Sequence, residues 1–378
     1  MKKTKITLFI LFLGFFCPFH SYSEIIKQKK TTDDDSHSNM FLDFSSSLNS
    51  TVKTVKKEFY EGSRFSENYL NLEIIGKAND KISYRFTKQL KKTENSEMMD
   101  LAYLKYKWND KLYLLIGKQP FSFGSMEYAN ANSSYAYRYP HVYKKKENPV
   151  GFSFLYIPIK DHELQFQIVN GTKKKEDYIT KKMSHPMGCS VNWNWSLFNN
   201  KIIKNRWSYS IFQENENKKF WKLLALGSQL NFKPLSIEAD YIFSDEDIEK
   251  NGRITNIIYS LNNEYYNTNH AASVKYGTYL VKLKYNFLPK WNFIAKGVYE
   301  IGTSKKEMND ILVKNKLFKK AYTYYGGVEF LPIMKSDDLS LHLIYQNHRV
   351  NYSLDPIKKE NENNHIIILG FSYRVKMI

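Results

Sequence analysis

Residues 235–243 read Leu235-Ser236-Ile237-Glu238-Ala239-Asp240-Tyr241-Ile242-Phe243. Leu235, Ile237, Ala239, Tyr241 and Phe243 take every second position, and Ser236, Glu238 and Asp240 lie between them. That period of two belongs to a strand with one apolar and one polar face. Just before it, Lys233-Pro234 supplies turn chemistry, and residues 221–232 form another strand-length run.

The same unit recurs along the chain: strand, tight turn, strand, long polar connection. Sixteen strands are predicted, at about 40–49, 67–76, 81–90, 99–108, 111–118, 149–158, 162–170, 187–198, 203–213, 221–232, 235–244, 274–287, 290–301, 321–331, 338–348 and 365–376. Short connections such as Asn109-Asp110 and Leu288-Pro289 alternate with long ones at 50–66, 91–98, 119–148, 171–186, 214–220, 245–273, 302–320 and 349–364. An even number of alternating strands, with short turns on one side and long loops on the other, is the pattern of a transmembrane β-barrel of the bacterial outer membrane. The short turns are then periplasmic and the long loops extracellular.

Alternation assigns the two faces. In the strand at 81–90, Ile82, Tyr84 and Phe86 oppose Lys81, Ser83, Arg85 and Thr87; at 187–198, Val191, Trp193 and Trp195 oppose Ser190, Asn192, Asn194 and Ser196. The apolar face meets lipid, because a Lys or Arg turned into the bilayer midplane of a barrel costs about 2–4 kcal/mol. Tyr106, Trp108, Trp195, Tyr285, Phe287, Trp291 and Phe330 fall near the short turns, as a periplasmic aromatic girdle requires. The composition agrees: 16% aromatic residues and 25% charged ones fit a barrel with polar loops rather than a bundle of apolar helices.

The first residues read as an export signal. Lys2, Lys3 and Lys5 precede the apolar run Ile6–Phe16, which is too short to span a bilayer as a helix. Ser21 and Ser23 place cleavage after Ser23. The expected organisation is a signal peptide at 1–23, a flexible leader at 24–39 and the barrel at 40–378. With Cys17 removed, Cys189 is the remaining cysteine, so neither a disulfide within the chain nor a cysteine-based metal site is expected. The net charge of +18 is dispersed, without the clustered basic residues of a nucleic-acid site.

The polar face carries twelve basic residues against five acidic ones, Glu73, Glu163, Glu238, Asp240 and Glu329. The predicted path for anions runs over Lys81, Arg85, Lys105, Lys107, Lys204, Arg206, Lys282, Lys284, Lys296 and Arg374. Positive linings concentrate anions and set the sign of pore selectivity. The connection 119–148 is long enough to be functional. Its Phe121, Phe123, Tyr128 and Arg138, with Lys144-Lys145-Lys146, mark it as a constriction loop folded into the lumen; the alternative leaves it outside, with those lysines facing solvent or lipopolysaccharide.

The segments Gly117-Lys118-Gln119-Pro120-Phe121-Ser122-Phe123-Gly124, Pro149-Val150-Gly151-Phe152 and Gln165-Phe166-Gln167-Ile168-Val169-Asn170-Gly171 resemble the phosphate-selective porin O/P family. The resemblance implies a sixteen-stranded homotrimer whose third loop narrows the pore and whose basic side chains pass small anions. Here the chain departs from the family pattern. It has seven arginines, Arg64, Arg85, Arg138, Arg206, Arg253, Arg349 and Arg374, so lysine would have to replace the bidentate arginine fork that suits phosphate.

The expected function is passive diffusion of small hydrophilic solutes, phosphate-like anions preferred. The expected partners are outer-membrane lipid, lipopolysaccharide and other copies of the chain, with no cofactor, no nucleic acid and no catalysis. Two alternatives stay open: a structural or adhesive barrel that does not conduct, and a general porin that tolerates cations. His270, His342 and His348 fall in different segments with no nucleophile motif beside them, and the acidic runs Asp33–Asp35 and Asp245–Asp247 lack the spacing of a calcium loop.

Overall fold

The computed structural model describes residues 37–54, 58–90, 99–129, 135–143, 148–171, 187–198, 202–214, 219–250, 273–305, 317–333, 338–353 and 360–377. The predicted signal peptide and most of the leader lie outside these residues. Sixteen antiparallel strands form one closed barrel in which each strand pairs with its sequence neighbours and the first pairs with the last. They are β1 (Ser38–Thr54), β2 (Glu58–Lys77), β3 (Ile82–Gln89), β4 (Met99–Lys107), β5 (Leu112–Lys118), β6 (Val150–Tyr156), β7 (His162–Asn170) and β8 (Met187–Leu197). The second half consists of β9 (Ile203–Gln213), β10 (Phe220–Phe232), β11 (Leu235–Glu246), β12 (Val274–Leu288), β13 (Trp291–Ser304), β14 (Leu317–Phe330), β15 (Leu339–Tyr352) and β16 (Glu362–Lys376). Closure removes every free sheet edge, as a spanning sheet requires in lipid.

The main departure from the predicted elements is the connection 50–66. Most of it is strand: β1 runs to Thr54 and β2 starts at Glu58, with register shifts at Ser45/Ser46 and Thr51/Val52. Similarly, β13, β14, β15 and β16 extend several residues into segments read as long loops. Outside the bilayer a ladder needs only its backbone hydrogen bonds. Polar, irregular sequence there hides a strand that alternation would reveal.

The barrel wall is uneven. β3, β5 and β6 have 8, 7 and 7 residues, whereas β1 and β2 have 17 and 20. A tilted strand uses about 9–11 residues to cross hydrocarbon, so the wall from β3 to β6 is low.

Register carries one set of side chains around the outside: Tyr241 faces Tyr279, Tyr279 faces Tyr299, and Tyr299 faces Tyr322. Near the short turns the same face bears Tyr106, Trp108, Tyr285, Phe287 and Trp291, all exposed, with Trp291 stacked on Phe330 at 4.6 Å. The inner face departs from the simple binary pattern. Leu223, Ile242, Leu280, Ile294 and Ile344 point inward and are fully or almost fully buried. Water does not reach them, because the third long loop covers them.

Candidate functional site

The third long loop leaves β5 at Lys118 and rejoins the wall at β6. Its described parts include two single-turn helices, α1 (Met126–Ala129) and α2 (Pro140–Tyr143). The first segment is tied to the near wall. Ser153 Oγ donates to Gln119 Oε1 at 2.6 Å, the Ser122 amide to Gln167 Oε1 at 3.0 Å, and the Gly124 amide to Ser208 Oγ at 2.8 Å. Gly124 has φ +126, a left-handed conformation in which an added Cβ would sit 2.2 Å from the Tyr128 ring.

The loop then meets the lumen side of β10 and β11. Asp240 on β11 accepts from Ser125 Oγ at 2.5 Å, the Met126 amide at 3.1 Å, the Glu127 amide at 2.9 Å and Tyr139 OH at 2.9 Å. The wall thus caps α1 with a carboxylate, satisfying amides that its first turn leaves unpaired. Contact is close enough to demand glycine at 227 on β10, where a Cβ would lie 2.5 Å from the Met126 amide nitrogen and 2.8 Å from Asp240 Oδ1.

Glu127 forms the centre of a buried ion cluster. It pairs with Lys296 on β13 in a short contact, with Lys282 on β12 at 2.9 Å, and accepts the Tyr137 amide at 2.8 Å. Burial opposes ionisation of Glu127, but the Lys296 and Lys282 ammoniums outweigh it and hold its carboxyl at about 2. Lys282 also lies 3.6 Å from Glu238. Lys296 donates to the Tyr135 carbonyl at 2.9 Å and sits 4.4 Å from the Tyr325 ring centre.

Further along, Tyr135 OH donates to Glu329 at 2.8 Å and Tyr137 OH to Glu300 at 3.3 Å. His141 stacks on Tyr276 at 4.6 Å, with Nε2 2.9 Å from Thr278 Oγ1 and Nδ1 3.7 Å from Glu300. Burial and the Asp240 carboxylate push the Tyr139 phenol well up, and burial lifts Tyr128 to about 12 against the opposing charge of Arg206. These phenols therefore serve as neutral donors or packing groups.

The sequence-predicted residues separate into groups. Phe121 and Phe123 stack at 5.6 Å, and Tyr128 meets Phe123 edge-on at 5.7 Å. Arg138 is exposed, while Lys144, Lys145 and Lys146 lie outside the described residues. Among the described residues, at least six of the ten predicted path cations have carboxylate partners. Arg85 and Arg374 both hold Glu73 at 2.5 Å, and Arg374 also holds Asp43 at 3.0 Å. Lys284 holds Glu329 at 2.7 Å, Lys107 holds Asp110 at 2.6 Å, and Lys282 and Lys296 hold Glu127.

Lys81, Lys105 and Lys204 have no carboxylate in ion-pair contact among the described residues. Lys105 lies over the Tyr113 ring at 4.4 Å, within electrostatic reach of Glu163. Lys204 faces Ser196 and Gln229, and Arg206 faces Asn194 and Gly227. Sequence reasoning missed the acids Asp43, Glu127 and Glu300. Glu300 follows Lys296 by four positions on the same strand face and was open to discovery. Glu127 sits in a loop and carried no such signal.

The family model for phosphate-selective porin O and P matches residues 50–375. Among solved structures, the barrel is similar to the outer membrane channel DcaP of Acinetobacter baumannii, with TM-score 0.62 and 10% identity over 89% of this chain and 97% of that one. It is also similar to an anion-selective porin from Comamonas acidovorans, with TM-score 0.58 and 10% identity over 90% of this chain and 100% of that one. A third similar structure is the trimer form of OmpT, an outer membrane protein of Vibrio cholerae, with TM-score 0.55 and 11% identity over 90% and 100%. No curated protein matches the sequence.

Proposed function

The chain belongs to the phosphate-selective porin O and P family and is an outer-membrane porin, and from that premise we propose that it passes small anions in preference to cations, by diffusion through the space the third loop leaves open. One observation carries the preference. Lys105 and Lys204 face the lumen near its periplasmic end without a carboxylate in ion-pair contact among the described residues, whereas Lys282 and Lys296 beneath the loop are ion-paired with Glu127. Such ammoniums raise the local concentration of any small anion. Lysine offers a compact charge without the bidentate fork of arginine, so the preference is for charge rather than for phosphate geometry.

The proposal involves no covalent chemistry, cofactor or energy coupling. It also assigns the low wall to a contact between copies. Strands of 7 and 8 residues leave part of the bilayer's height unspanned. A neighbouring protomer would cover that stretch in a homotrimer.

Planar-bilayer recording tests the reading. Insertion events should raise the current in groups of three equal steps, with a reversal potential of anion sign under a KCl gradient. Current of cation sign would remove the anion preference, and a folded barrel without current would restore the structural or adhesive alternative.

A further inference from the structure

The chain enters the barrel between two basic strand ends. β1 starts at Ser38, and just before it the His37 carbonyl accepts the Lys77 amide at 3.0 Å. On the other side the Met40 carbonyl accepts the Met377 amide at 2.8 Å, and Phe41 faces Lys376. The approach to β2 is close, since a Cβ added at Gly76 would lie 3.1 Å from the His37 carbonyl oxygen. His37 is thereby fixed at the short-turn lip of the barrel. Alternation turns Lys77, Lys81 and Lys376 to the lumen side of that lip: Lys77 faces Ser83, Ser83 faces Lys105, and Lys376 follows Arg374 by two positions. Lys81 and Lys376 are exposed, and Lys77 is half-buried. Their neighbours Lys107 and Arg374 are ion-paired, with Asp110 and with Asp43 and Glu73. Lys77, Lys81 and Lys376 have no carboxylate in ion-pair contact among the described residues. Asp80, exposed in the same turn as Lys81, offsets one of these charges.

The sequence places Asp33-Asp34-Asp35 two to four positions before His37. A chain advances at most about 3.6 Å per residue, so covalent reach alone holds Asp35 within about 7 Å and Asp33 within about 14 Å of His37. Three carboxylates are therefore tethered beside three lysines that lack a counter-charge. Opposite unit charges 4 Å apart attract by about 1 kcal/mol in water and by more beside a low-dielectric wall. Lys27, Lys29 and Lys30 precede the aspartates by three to eight positions and compete for them. The lip lysines have the advantage of fixed stations on strands, so pairing with them orders one partner rather than two.

We infer that the chain's own Asp33-Asp34-Asp35 segment docks on the lumen side of the periplasmic lip, against Lys77, Lys81 and Lys376, and acts there as a tethered gate on anions. The docked carboxylates lower the anion concentration that Lys105, in the same row as Lys77, builds up beside them. The segment is held on one side of the membrane, so its effect depends on the sign of the voltage. A potential positive on the long-loop side draws the acid run toward the lumen and reduces the current; the opposite sign pushes it away. The inference rests on the porin reading, with the short turns periplasmic.

Single-channel recording of the full chain at both polarities tests it, with the protein added from one side of the bilayer. In about 0.1 M KCl the current should be about twofold smaller with the long-loop side positive. The ratio should return to about one in about 1 M KCl, where the Debye length shrinks from about 10 to about 3 Å. The same loss of asymmetry is expected for Asp33→Asn, Asp34→Asn, Asp35→Asn together, and for Lys77→Gln, Lys81→Gln, Lys376→Gln together. Combining the two sets should add nothing further, as partners in one contact require. Equal currents in wild type at low salt would overturn the inference, and so would an asymmetry that survives the aspartate substitutions, since it would come from the fixed charges of the barrel. Zero-length carbodiimide coupling, read by peptide mass spectrometry, checks the docking without any current. Amide bonds should join Asp33, Asp34 or Asp35 to Lys77, Lys81 or Lys376 at low salt and be lost at high salt. Coupling confined to Lys27, Lys29 and Lys30 would overturn the inference. The lip bonds in a barrel that does not conduct would support the docked segment while defeating the porin reading alone.

Discussion

The lumen of this barrel holds two populations of cations. Lys282 and Lys296, on β12 and β13, lie beneath the third loop and share the carboxylate of Glu127. Lys105 and Lys204, on β4 and β9, have the same side chain and the same inward direction, but no carboxylate in ion-pair contact among the described residues. The first pair holds a loop in place, and on the proposed reading the second acts on solutes. A tally of lumen charge merges these roles, because it counts lysines without asking which acids the loop brings in.

The largest effect that would break the comparison is expected at Lys296. Its side chain is fully buried, and Lys296→Ala leaves the Glu127 carboxylate buried with half its compensation gone. Truncating one partner of such a pair costs about 3–5 kcal/mol. Urea unfolding in lipid vesicles should show the loss, and single channels should become larger and noisier as the loop leaves the wall. Gly227→Val probes the same dock by shape. A Cβ 2.5 Å from the Met126 amide nitrogen forces the loop outward, at about 1–3 kcal/mol for overpacking, with a similar though smaller rise in conductance.

Acid provides a gentler probe. The Glu127 carboxyl falls from an ordinary 4.5 to about 2 in the folded barrel. A depressed carboxyl stabilises fully above its unfolded value and loses that contribution as pH falls toward the folded value. Loop docking should therefore hold across neutral and mildly acidic solution and weaken only between about 4.5 and 2. Conductance traces over that window would show it, and Glu127→Gln should flatten the response. A docking change near neutral pH would mean that another group controls the loop.

Much of the fold was legible because lipid enforces a rule on sequence. Strands facing hydrocarbon must alternate, so runs such as Leu235–Phe243 stood out, and with them the closed sixteen-stranded architecture. The rule lapses beyond the bilayer, which is why the β1–β2 hairpin read as a loop around residues 50–66. It also lapses where the lumen is dry. Ile242 and Ile294 face inward in one buried cluster with Phe123 and Tyr139; alternation with Asp240 and Lys296 gives their direction, but their apolar type gives no sign of the dry surroundings. The site was legible in part. The inward lysines followed from alternation, but their partners did not. Glu127 reaches Lys296 across 169 positions, a pairing set by the path of a loop.

The division of roles is tested most directly by the reversal potential of Lys105→Gln with Lys204→Gln against wild type, under the same KCl gradient. The account predicts an anion-sign potential in wild type that moves at least halfway to zero in the variant. Unfolding stability should change by no more than about 0.5 kcal/mol, as expected of substitutions that break no buried pair. An unchanged potential in a fully folded variant would contradict the claim that these two lysines, rather than those beneath the loop, set the selectivity of the pore.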